Sequence, residues 1–468
     1  MARLRGQGRY ALLESALVLP ELAQWSYIAG PARATLYTDE AATVLECDGH
    51  DLGRWNDAFD ALADVTAVGT LNIDGARPAG MGFVGGWVGA LGYDLARGVE
   101  RLPRHALHDT VLPRQWWMAV DQVLAFHHPS GQWWHATATG PMDRWPFART
   151  DRAASWARTL ACAAGPEPAR GHWAAGPREL RTDRAGFERD VQRIRDAIAA
   201  GELLQANLTR REDAAFEGDA WTLYEDLVRA HPAPFAAYLE GPGFTIASAS
   251  PERFVQRRGA SVQARPMKGT APRGIDAAQD EASRQALATS VKDRAENLMI
   301  VDLMRNDLGR VAVTGSVRVP ALFALEPYAS VWQMVSTVTA TLPAECSNAT
   351  LLRSCWPPGS MTGAPKIRAM QLIEVLEPLR RGFYAGSIGY LDCSGDLDLS
   401  VIIRSAVISG RRLMLQLGAG IVADSRPAAE WAETLAKGER LTRVLDRGSS
   451  GTCDPAAATG QQPPGGTT

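Results

Sequence analysis

The stretch SIGYLDCSGDLDLSVIIRSAVISGRRLMLQL, residues 387–417, decides the fold class. It contains three apolar runs, at 387–391, 397–408 and 413–417. Ser409 and Gly410, between the last two runs, have the composition of a hairpin turn, and runs joined this closely pair as antiparallel strands. Other runs of strand composition lie at 34–37, 82–88, 117–126, 244–248, 253–256 and 261–265. Because helices are not regularly interleaved with these runs, the sequence predicts an α+β fold with large antiparallel sheets.

Composition divides the chain into three parts. Residues 1–164 are rich in short runs and turn residues, and a linker rich in Gly and Pro follows at 165–177. The second region spans 183–446. Helices are predicted at 152–164, between Asp183 and Gly201, at 282–307 and at 427–445. Residues 447–468 have almost no apolar content, so we expect a disordered tail.

The overall composition excludes several classes of protein. Of the 468 residues, 46% are hydrophobic and 22% are charged, which is close to the globular average and excludes disorder over the full length. The net charge of −3 argues against bulk nucleic-acid binding, which needs a basic surface. No apolar run reaches the roughly 18 residues of a membrane span. The six cysteines form no CxxC pair, which favours reduced thiols. We therefore expect a cytoplasmic protein of enzyme size.

Two pairs of carboxylates have helical spacing. Asp293 and Glu296 are three residues apart in one predicted helix, and Glu430 and Glu433 repeat this spacing in the last helix. Residues three apart share a helical face, and carboxylate oxygens are the ligands that Mg²⁺ prefers in proteins. The alternative is two solvated helix faces, because the spacing alone does not bring the two helices together.

Lys268 and Glu252 are candidates for a nucleophile and an acid. The predicted strands at 253–256 and 261–265 return the chain, so the two residues are expected at the same end of a sheet. An amine acts as a nucleophile only when neutral, and at pH 7 an unperturbed lysine is neutral in about one molecule in 2,500. The alternative is a solvated surface ion pair.

Three further features are suited to binding an anion. Small residues follow a predicted strand at 418–421, and a polar, glycine-bearing loop at 360–366 enters a helix. Arg404 is a charge within an apolar run and needs a partner if it is buried. Together with the carboxylates, these features indicate a site for a small dianion, a divalent metal and an activated amine.

Six segments, in this order and at matching spacing, resemble the motifs of the chorismate-utilising enzymes. They are SPERF (250–254), PMKGT (266–270), ENLMIVDLMRND (296–307), GAPK (363–366), GSIGY (386–390) and GAGIVAD (418–424). In the first region, LLES (12–15) and GGWVGALGY (85–93) resemble the N-terminal region of large subunits in the anthranilate synthase component I family. The resemblance implies two large antiparallel β-sheets packed as a sandwich with flanking helices, and a chorismate site in the cleft between them.

Two positions separate the branches of this family. Gln205 stands where members that add water to chorismate carry a lysine, and an amide has no basic lone pair for that role. Lys268 stands where anthranilate synthases typically carry alanine and members that aminate C4 carry lysine. The chain therefore resembles the C4-aminating branch. It departs from many members at Gln333, where they carry a histidine.

The resemblance also implies a mechanism. Lys268 would attack C2 of chorismate while Glu252 protonates the departing C4 hydroxyl, and ammonia would then enter at C4 to give 4-amino-4-deoxychorismate. The Mg²⁺ ion would be held through Glu296 and Glu433, with Glu430 and Asp293 beside them. The residues implied for the substrate carboxylates are Thr362, Tyr390, Arg404, Gly418, Gly420 and Lys437.

Partners and regulation follow from the same resemblance. No cysteine in a glycine-rich turn marks a glutaminase segment, so a separate glutamine amidotransferase subunit is expected to supply ammonia. Glu14, Ser15, Pro234 and Phe235 resemble residues that line a tryptophan pocket in anthranilate synthases, with plain core packing as the alternative. Two alternatives stay open for the whole chain: an anthranilate synthase component I, and a catalytically silent subunit that senses an aromatic metabolite.

Overall fold

The computed structural model of the chain describes residues 1–5, 8–20, 22–67, 72–73, 77–139, 161, 168–328 and 331–448. The predicted helix at 152–164 and the predicted disordered tail at 447–468 lie almost entirely outside these residues.

The described residues form strands and helices throughout. The first strands in chain order are β1 (Ala11–Glu14), β2 (Trp25–Ala29), β3 (Ala34–Thr38), β4 (Thr43–Cys47), β5 (His50–Trp55), β6 (Asn72–Ile73), β7 (Gly86–Leu91), β8 (Gln115–Val120), β9 (Gln122–His127), β10 (Gln132–Thr139), β11 (Trp173–Ala175) and β12 (Glu179–Leu180). The later strands are β13 (Gln205–Gly218), β14 (Phe235–Gly241), β15 (Phe244–Ser250), β16 (Arg253–Arg258), β17 (Ser261–Ala264), β18 (Met267–Pro272), β19 (Arg318–Pro327), β20 (Val331–Thr341), β21 (Gly363–Ala364), β22 (Ser387–Asp392), β23 (Leu397–Val401), β24 (Ser405–Ser409) and β25 (Arg412–Ile421). The helices are α1 (Ala58–Thr66), α2 (Ala96–Val99), α3 (Arg184–Ala199), α4 (Ala220–Ala230), α5 (Ala277–Thr289), α6 (Val291–Gly309), α7 (Asn348–Cys355), α8 (Lys366–Leu376) and α9 (Pro427–Gly448), with 3-10 turns at Tyr93–Leu95 and Gly359–Met361.

The strands form two large antiparallel sheets. Among the described residues, one sheet has the order β11-β13-β25-β24-β15-β14-β1-β2-β9-β10-β6, and β12 and β21 also pair with β13. The other has the order β18-β20-β17-β16-β23-β22-β7-β8-β3-β4-β5, and β19 also pairs with β20. The predicted α+β fold with two large antiparallel sheets is confirmed. Strands before and after the predicted linker share both sheets, because β1 pairs with β14 and β7 pairs with β22.

Four layers bury the apolar side chains. One core lies between the sheets and includes Val88 and Ile388 from one sheet and Ile246 from the other. A second core packs α1, α6, α7 and α8 on the outer face of the sheet that holds β16 and β23, and a third packs α4 and α9 on the sheet that holds β13 and β15. Each sheet is covered by the other sheet on its inner face and by helices on its outer face. The strands are therefore buried on both faces, which explains why the runs predicted as strands are apolar throughout.

Three predicted elements are divided in the structure. The run at 397–408 is two strands, β23 and β24, which belong to different sheets. The run at 117–126 is likewise β8 and β9, and the chain changes sheet at Asp121. The helix predicted at 282–307 is α5 and α6, because Ser290 ends one helix and its side chain caps the next by accepting from the backbone N–H of Asp293.

Candidate active site

Two neighbouring crossovers between the sheets position Glu252 and Arg404. Glu252 lies between β15 and β16, and Arg404 lies between β23 and β24. The crossovers are joined by hydrogen bonds, because Val401 N–H donates to Glu252 O at 3.0 Å and Ala249 N–H donates to Arg404 O at 3.2 Å. Arg404 has a φ of 51°, in the left-handed region, which turns the chain out of one sheet and into the other. Both side chains are therefore presented where the sheets exchange strands.

The Glu252 carboxyl group is buried, with 6% of the residue exposed. Burial raises the pKa of Glu252, while a hydrogen bond from Ser360, the charges of Lys268 and Arg404, and the Met267 N–H act in the opposite direction. A carboxyl group whose pKa is raised by burial retains its proton closer to neutral pH. It is thus suited to act as a general acid.

Lys268 lies on the edge strand β18, in an irregular part of the β18–β20 ladder between Met267 and Thr270. Gly269 has a φ of 96°, and a side chain there would meet the Cβ of Asp293 at 2.9 Å, so only glycine fits this turn. Asn297 on α6 donates from Nδ2 to Lys268 O at 3.4 Å. The backbone around the lysine is therefore fixed from both sides.

The Lys268 amine lies close to Gly420 and Gln205, on two neighbouring strands. A carbon atom added at Gly420 on β25 would be 3.5 Å from Lys268 Nζ and 2.7 Å from Gln205 Nε2. Burial lowers the pKa of Lys268 and the charge of Lys437 lowers it further, while Glu296, Glu252 and Glu433 raise it. The amine therefore lies within electrostatic range of Glu252 and of the carboxylates on α6 and α9.

The two predicted carboxylate pairs on α6 and α9 act on each other electrostatically. Burial raises the pKa of Glu296, and the charge of Glu433 raises it further. Burial also raises the pKa of Glu430, whose neighbours include Glu433. Lys292 Nζ lies 3.7 Å from Glu296 Oε1, and Lys437 Nζ lies 2.6 Å from Glu433 Oε1. This electrostatic coupling between the two helices could not be inferred from residue spacing.

The carboxylate set fits a divalent cation in its chemistry. Glu296 Oε1 and Glu430 Oε2 are buried oxygens without a hydrogen-bond partner, and a bound cation would satisfy both. Within the described ranges, however, no three acidic, histidine or cysteine side chains are close enough together to hold a metal ion in this conformation. Lys292 and Lys437 neutralise part of the charge instead.

The residues predicted to bind substrate carboxylates form two groups: one lies around Lys268, and the other, Tyr390 alone, lies apart from it. Gly418, Gly420 and Lys437 lie with Lys268, since Lys437 Nζ donates to Gly418 O at 3.2 Å. Thr362 is fully buried, and its carbonyl accepts from Asn207 N–H at 2.7 Å; Asn207 is the ladder partner of Gly420.

Arg404 belongs to the group around Lys268, because both Arg404 and Lys268 act on the pKa of Glu252. Its Nη1 donates to His231 Nε2 at 2.8 Å. Burial lowers the pKa of His231 to about 3, and the neighbouring Arg404 and Arg440 contribute, so the imidazole is neutral and can accept this bond. Within the described part of the chain no carboxylate forms an ion pair with Arg404, so its guanidinium retains donors for an anion.

Tyr390 lies apart from Lys268, and this corrects its expected position. Its hydroxyl accepts from Arg258 Nη2 at 2.8 Å, and its ring packs against Phe83 and Tyr27 with centroids 4.7 and 5.8 Å away. Because alternate residues of β22 point to opposite faces, the glycine–tyrosine motif aims this ring into the core between the sheets. There it lines a cavity separate from the Lys268 site, which we call the second cavity.

The second cavity has a volume of about 230 Å³ and is lined by Glu14, Ser15, Pro234 and Phe235, the four residues predicted to share a pocket. Tyr224 donates to Glu14 Oε2 at 2.6 Å, and Ser15 Oγ donates to Trp25 O at 2.8 Å. The cavity therefore has both aromatic walls and a carboxylate.

Several contacts at the site were missed by the sequence argument. A hydrogen bond from Ser360 lowers the pKa of Glu252, Asn297 Nδ2 donates to Lys268 O, and Gln333 Oε1 accepts from Thr270 Oγ1 at 3.0 Å, two residues from Lys268. One signal was available in the sequence. Only four of the 49 basic residues are lysine, at 268, 292, 366 and 437, and three of them surround the carboxylates.

Comparison with known proteins identifies the family. A family model described as chorismate binding enzyme matches residues 16–443. The chain belongs to this family. Aminodeoxychorismate synthase component 1 of Klebsiella aerogenes is 41% identical over 426 residues, covering 90% of this chain and 90% of that protein. The protein of the same name from Escherichia coli strain K12 is 40% identical over 379 residues, covering 78% of each.

A solved structure supports the same assignment. Anthranilate synthase component I from Streptococcus pneumoniae TIGR4 superimposes with a TM-score of 0.78 at 28% identity, covering 91% of this chain and 94% of that one. The family and the fold inferred from the motifs are thereby confirmed. None of the described helices combines the length and the apolar character needed to cross a membrane.

Proposed function

We propose that this chain is the aminating subunit of an aminodeoxychorismate synthase, converting chorismate and ammonia into 4-amino-4-deoxychorismate and water. The observation that carries the proposal is the Lys268 amine, with its pKa lowered by burial, beside the buried Glu252 carboxyl group. The named relatives support the same reaction.

Lys268 and Glu252 carry the bond changes. The neutral amine bonds to C2 of chorismate, the ring double bonds shift, and the C4–O bond breaks as Glu252 gives its proton to the departing oxygen. Hydroxide is a poor leaving group, so this proton is needed. Ammonia then bonds to C4 and loses a proton, which returns to the Glu252 carboxylate, while the C2–N bond breaks and Lys268 leaves as the free amine.

A Mg²⁺ ion would be held by Glu296 and Glu433, with Glu430 and Asp293 beside them. When bound, it would neutralise the ring carboxylate of chorismate. The support is the pair of buried, unpartnered carboxylate oxygens on Glu296 and Glu430. Lys292 and Lys437 would then release the carboxylates that they contact and turn toward the substrate anion.

The remaining residues would bind and orient the dianion. Arg404, bonded to neutral His231, would donate to the enolpyruvyl carboxylate, with the backbone at Gly418 and Gly420 near it. Thr362 and Lys437 would lie near the ring carboxylate. Ammonia would come from a separate glutamine amidotransferase in the cytoplasm.

Two other functions agree less well with the residues of this site. An anthranilate synthase component I has the same fold, as the Streptococcus pneumoniae structure illustrates, but it would need no amine at position 268. A silent sensor would need neither an acid nor a nucleophile, so the environments of Glu252 and Lys268 argue against it.

The test is incubation of the purified chain with chorismate, Mg²⁺ and an ammonium salt at alkaline pH, with products separated and weighed by mass spectrometry. We expect 4-amino-4-deoxychorismate and a covalent chorismate-derived adduct on Lys268 after rapid quenching. Lys268→Ala should abolish the adduct and lower amination about 10²-fold or more. Anthranilate as the product, or no consumption of chorismate, would refute the proposal.

The second cavity is proposed to bind tryptophan. Its support is the set of aromatic walls with the Glu14 carboxylate, which can accept from an α-ammonium group. Calorimetric titration with tryptophan should give binding that Phe235→Ala weakens. The absence of binding heat and of any change in melting temperature would leave the core-packing alternative as the explanation of these residues.

A further inference from the structure

Lys366 makes a buried contact that the proposed reaction does not use. Its side chain is 13% exposed, and Nζ donates to Asp307 Oδ2 at 2.6 Å, to Cys355 O at 2.9 Å and to Pro357 O at 3.0 Å. An ammonium group has three donors, and all three are satisfied here. Three such bonds in a partly desolvated setting fix the geometry of the chain on both sides of the lysine.

The choice of lysine at this position is informative. The chain has four lysines among 49 basic residues, so arginine is the usual cation of this sequence. A planar guanidinium cannot direct three donors from one atom toward three converging acceptors, whereas an ammonium group can. The requirement at position 366 is therefore the shape of the donor set as well as the charge.

The three bonds close a loop that reaches the acid. Cys355 and Pro357 precede the 3-10 turn Gly359–Met361, and Lys366 follows it, so one ammonium group holds both ends of the segment. Ser360 in that turn is buried, and it lines the same small cavity as Glu252. A hydrogen bond from Ser360 lowers the pKa of Glu252. Both ends of the segment are therefore tied, through Lys366, to Asp307 on α6.

The opposite side of the turn is also fixed. Arg381 Nη1 donates to Met361 O at 2.7 Å, and its Nη2 donates to Asn207 O at 2.7 Å. Arg381 in turn pairs with Glu377 at 2.6 Å. Ser360 is thus held between two buried cations, one on each flank, and neither is in contact with the reacting groups.

We propose that Lys366, paired with Asp307, is a positioning residue that holds Ser360 against the Glu252 carboxyl group and so keeps the proton donor aimed at the substrate. The inference rests on the proposed function, since it assigns Glu252 the role of acid. Lys366 acts only through Ser360 and has no contact with chorismate in this scheme.

The effect on pH dependence has a definite sign. The hydrogen bond from Ser360 stabilises the ionised form of Glu252, so its loss raises the pKa of Glu252. The other groups facing this carboxyl in the described structure are Lys268, Arg404 and the phenol of Tyr328. None of them is altered by changes at Ser360 or Lys366. The limb of the pH–rate profile that belongs to Glu252 should therefore move to higher pH.

The experiment compares pH profiles of kcat/KM for amination by the full chain, with the concentration of NH₃ itself held constant at every pH. The variants are Ser360→Ala, Lys366→Met and their combination. Arg368→Met is the matched control, because this arginine lies one half-turn along α8 and makes an exposed pair with Glu202. Melting temperature and circular dichroism confirm folding of each variant.

We expect Ser360→Ala and Lys366→Met to move the same limb upward by about 0.5 to 1 pH unit and to lower the plateau roughly tenfold. The double variant should show no larger shift than either single variant, because both changes break one connection. Arg368→Met should match the unaltered chain.

A uniform loss of rate in Lys366→Met, with no movement of either limb, would overturn the proposal and leave the lysine a purely structural role. Additive shifts in the double variant would also overturn it. If Lys366→Met does not fold, Lys366→Arg and Asp307→Asn supply the same comparison, since each weakens the three-bond arrangement while retaining more of the local charge or volume. Failure of the unaltered chain to aminate chorismate would instead refute the proposed function.

Discussion

Gly420→Ala tests the geometry of the site with the addition of a single methyl group. Gly420 lies within β25 at a conformation that alanine also adopts, so the backbone is not strained. The added carbon would lie 2.7 Å from Gln205 Nε2, where ordinary contacts begin near 3.4 Å. The amide must therefore move by about 0.7 Å, and Gln205 has little room because only 1% of it is exposed.

The same methyl group would touch the reacting amine. It would lie 3.5 Å from Lys268 Nζ, in the space between the amine and the amide. A misplacement approaching 1 Å at a reacting group costs about 10²-fold in rate. We expect kcat for amination to fall between about 10- and 100-fold, with a loss of folding free energy of about 1 to 3 kcal/mol from overpacking. Steady-state kinetics and urea denaturation measure the two effects separately.

The control and the rescue make this prediction specific. Gly309→Ala at the end of α6 places its methyl group with no atom within 4 Å, so its activity should equal that of the unaltered chain. Combining Gly420→Ala with Gln205→Ala removes the closest contact; recovery of rate would assign the loss to the amide, and continued loss would assign it to the amine and the substrate. A Gly420→Ala enzyme with turnover within twofold of the original would refute the placement of Gly420 beside the reacting groups.

Two further predictions concern the carboxylates and the imidazole. Glu433→Gln should raise the Mg²⁺ concentration for half-maximal amination at least tenfold, whereas Glu439→Gln on the exposed side of α9 should not; identical Mg²⁺ titrations for the two variants would contradict the ligand assignment. His231 has a pKa near 3 in the folded chain against about 6.5 when unfolded, so the unfolded chain binds an extra proton between these values. The folded state should therefore lose up to about 1.4 kcal/mol per unit as pH falls from 6.5 to 3. His231→Gln should remove that slope in urea melts, and parallel pH dependences for the two proteins would contradict the buried, neutral imidazole.

The fold class was predictable because its information is local. Hairpin turns such as the one at Ser409 and Gly410 fix antiparallel pairing between neighbouring strands, and apolar runs mark strands buried on both faces. The crossovers were not predictable in the same way. Residues 397–408 are apolar on both sides of Arg404, so nothing in the pattern indicates that the chain leaves one sheet for another. A change of sheet is decided by tertiary packing, which periodicity does not report.

The site was predictable where residues are close in sequence and unpredictable where packing brings elements together. The spacing of Asp293 from Glu296 required only helical geometry, but the electrostatic coupling of Glu296 to Glu433 on α9 required the whole fold. The position of Tyr390 was not predictable from its motif, because the motif does not indicate which face of β22 the ring occupies. Ser360 was missed as a partner of the acid because a serine in a loop carries no distinctive pattern.

The arrangement of the acid and the amine follows from two opposing effects. Burial opposes the charged forms of both Glu252 and Lys268, while their mutual attraction favours the ion pair. The reaction needs the uncharged pair, with the proton on the carboxyl group and none on the amine. Exclusion of water by a bound substrate strengthens the first effect, so substrate binding should convert an ion pair into the reactive neutral pair. A divalent cation held by Glu296 and Glu433 would act in the same direction, because it would offset negative charge that helps to keep the amine protonated.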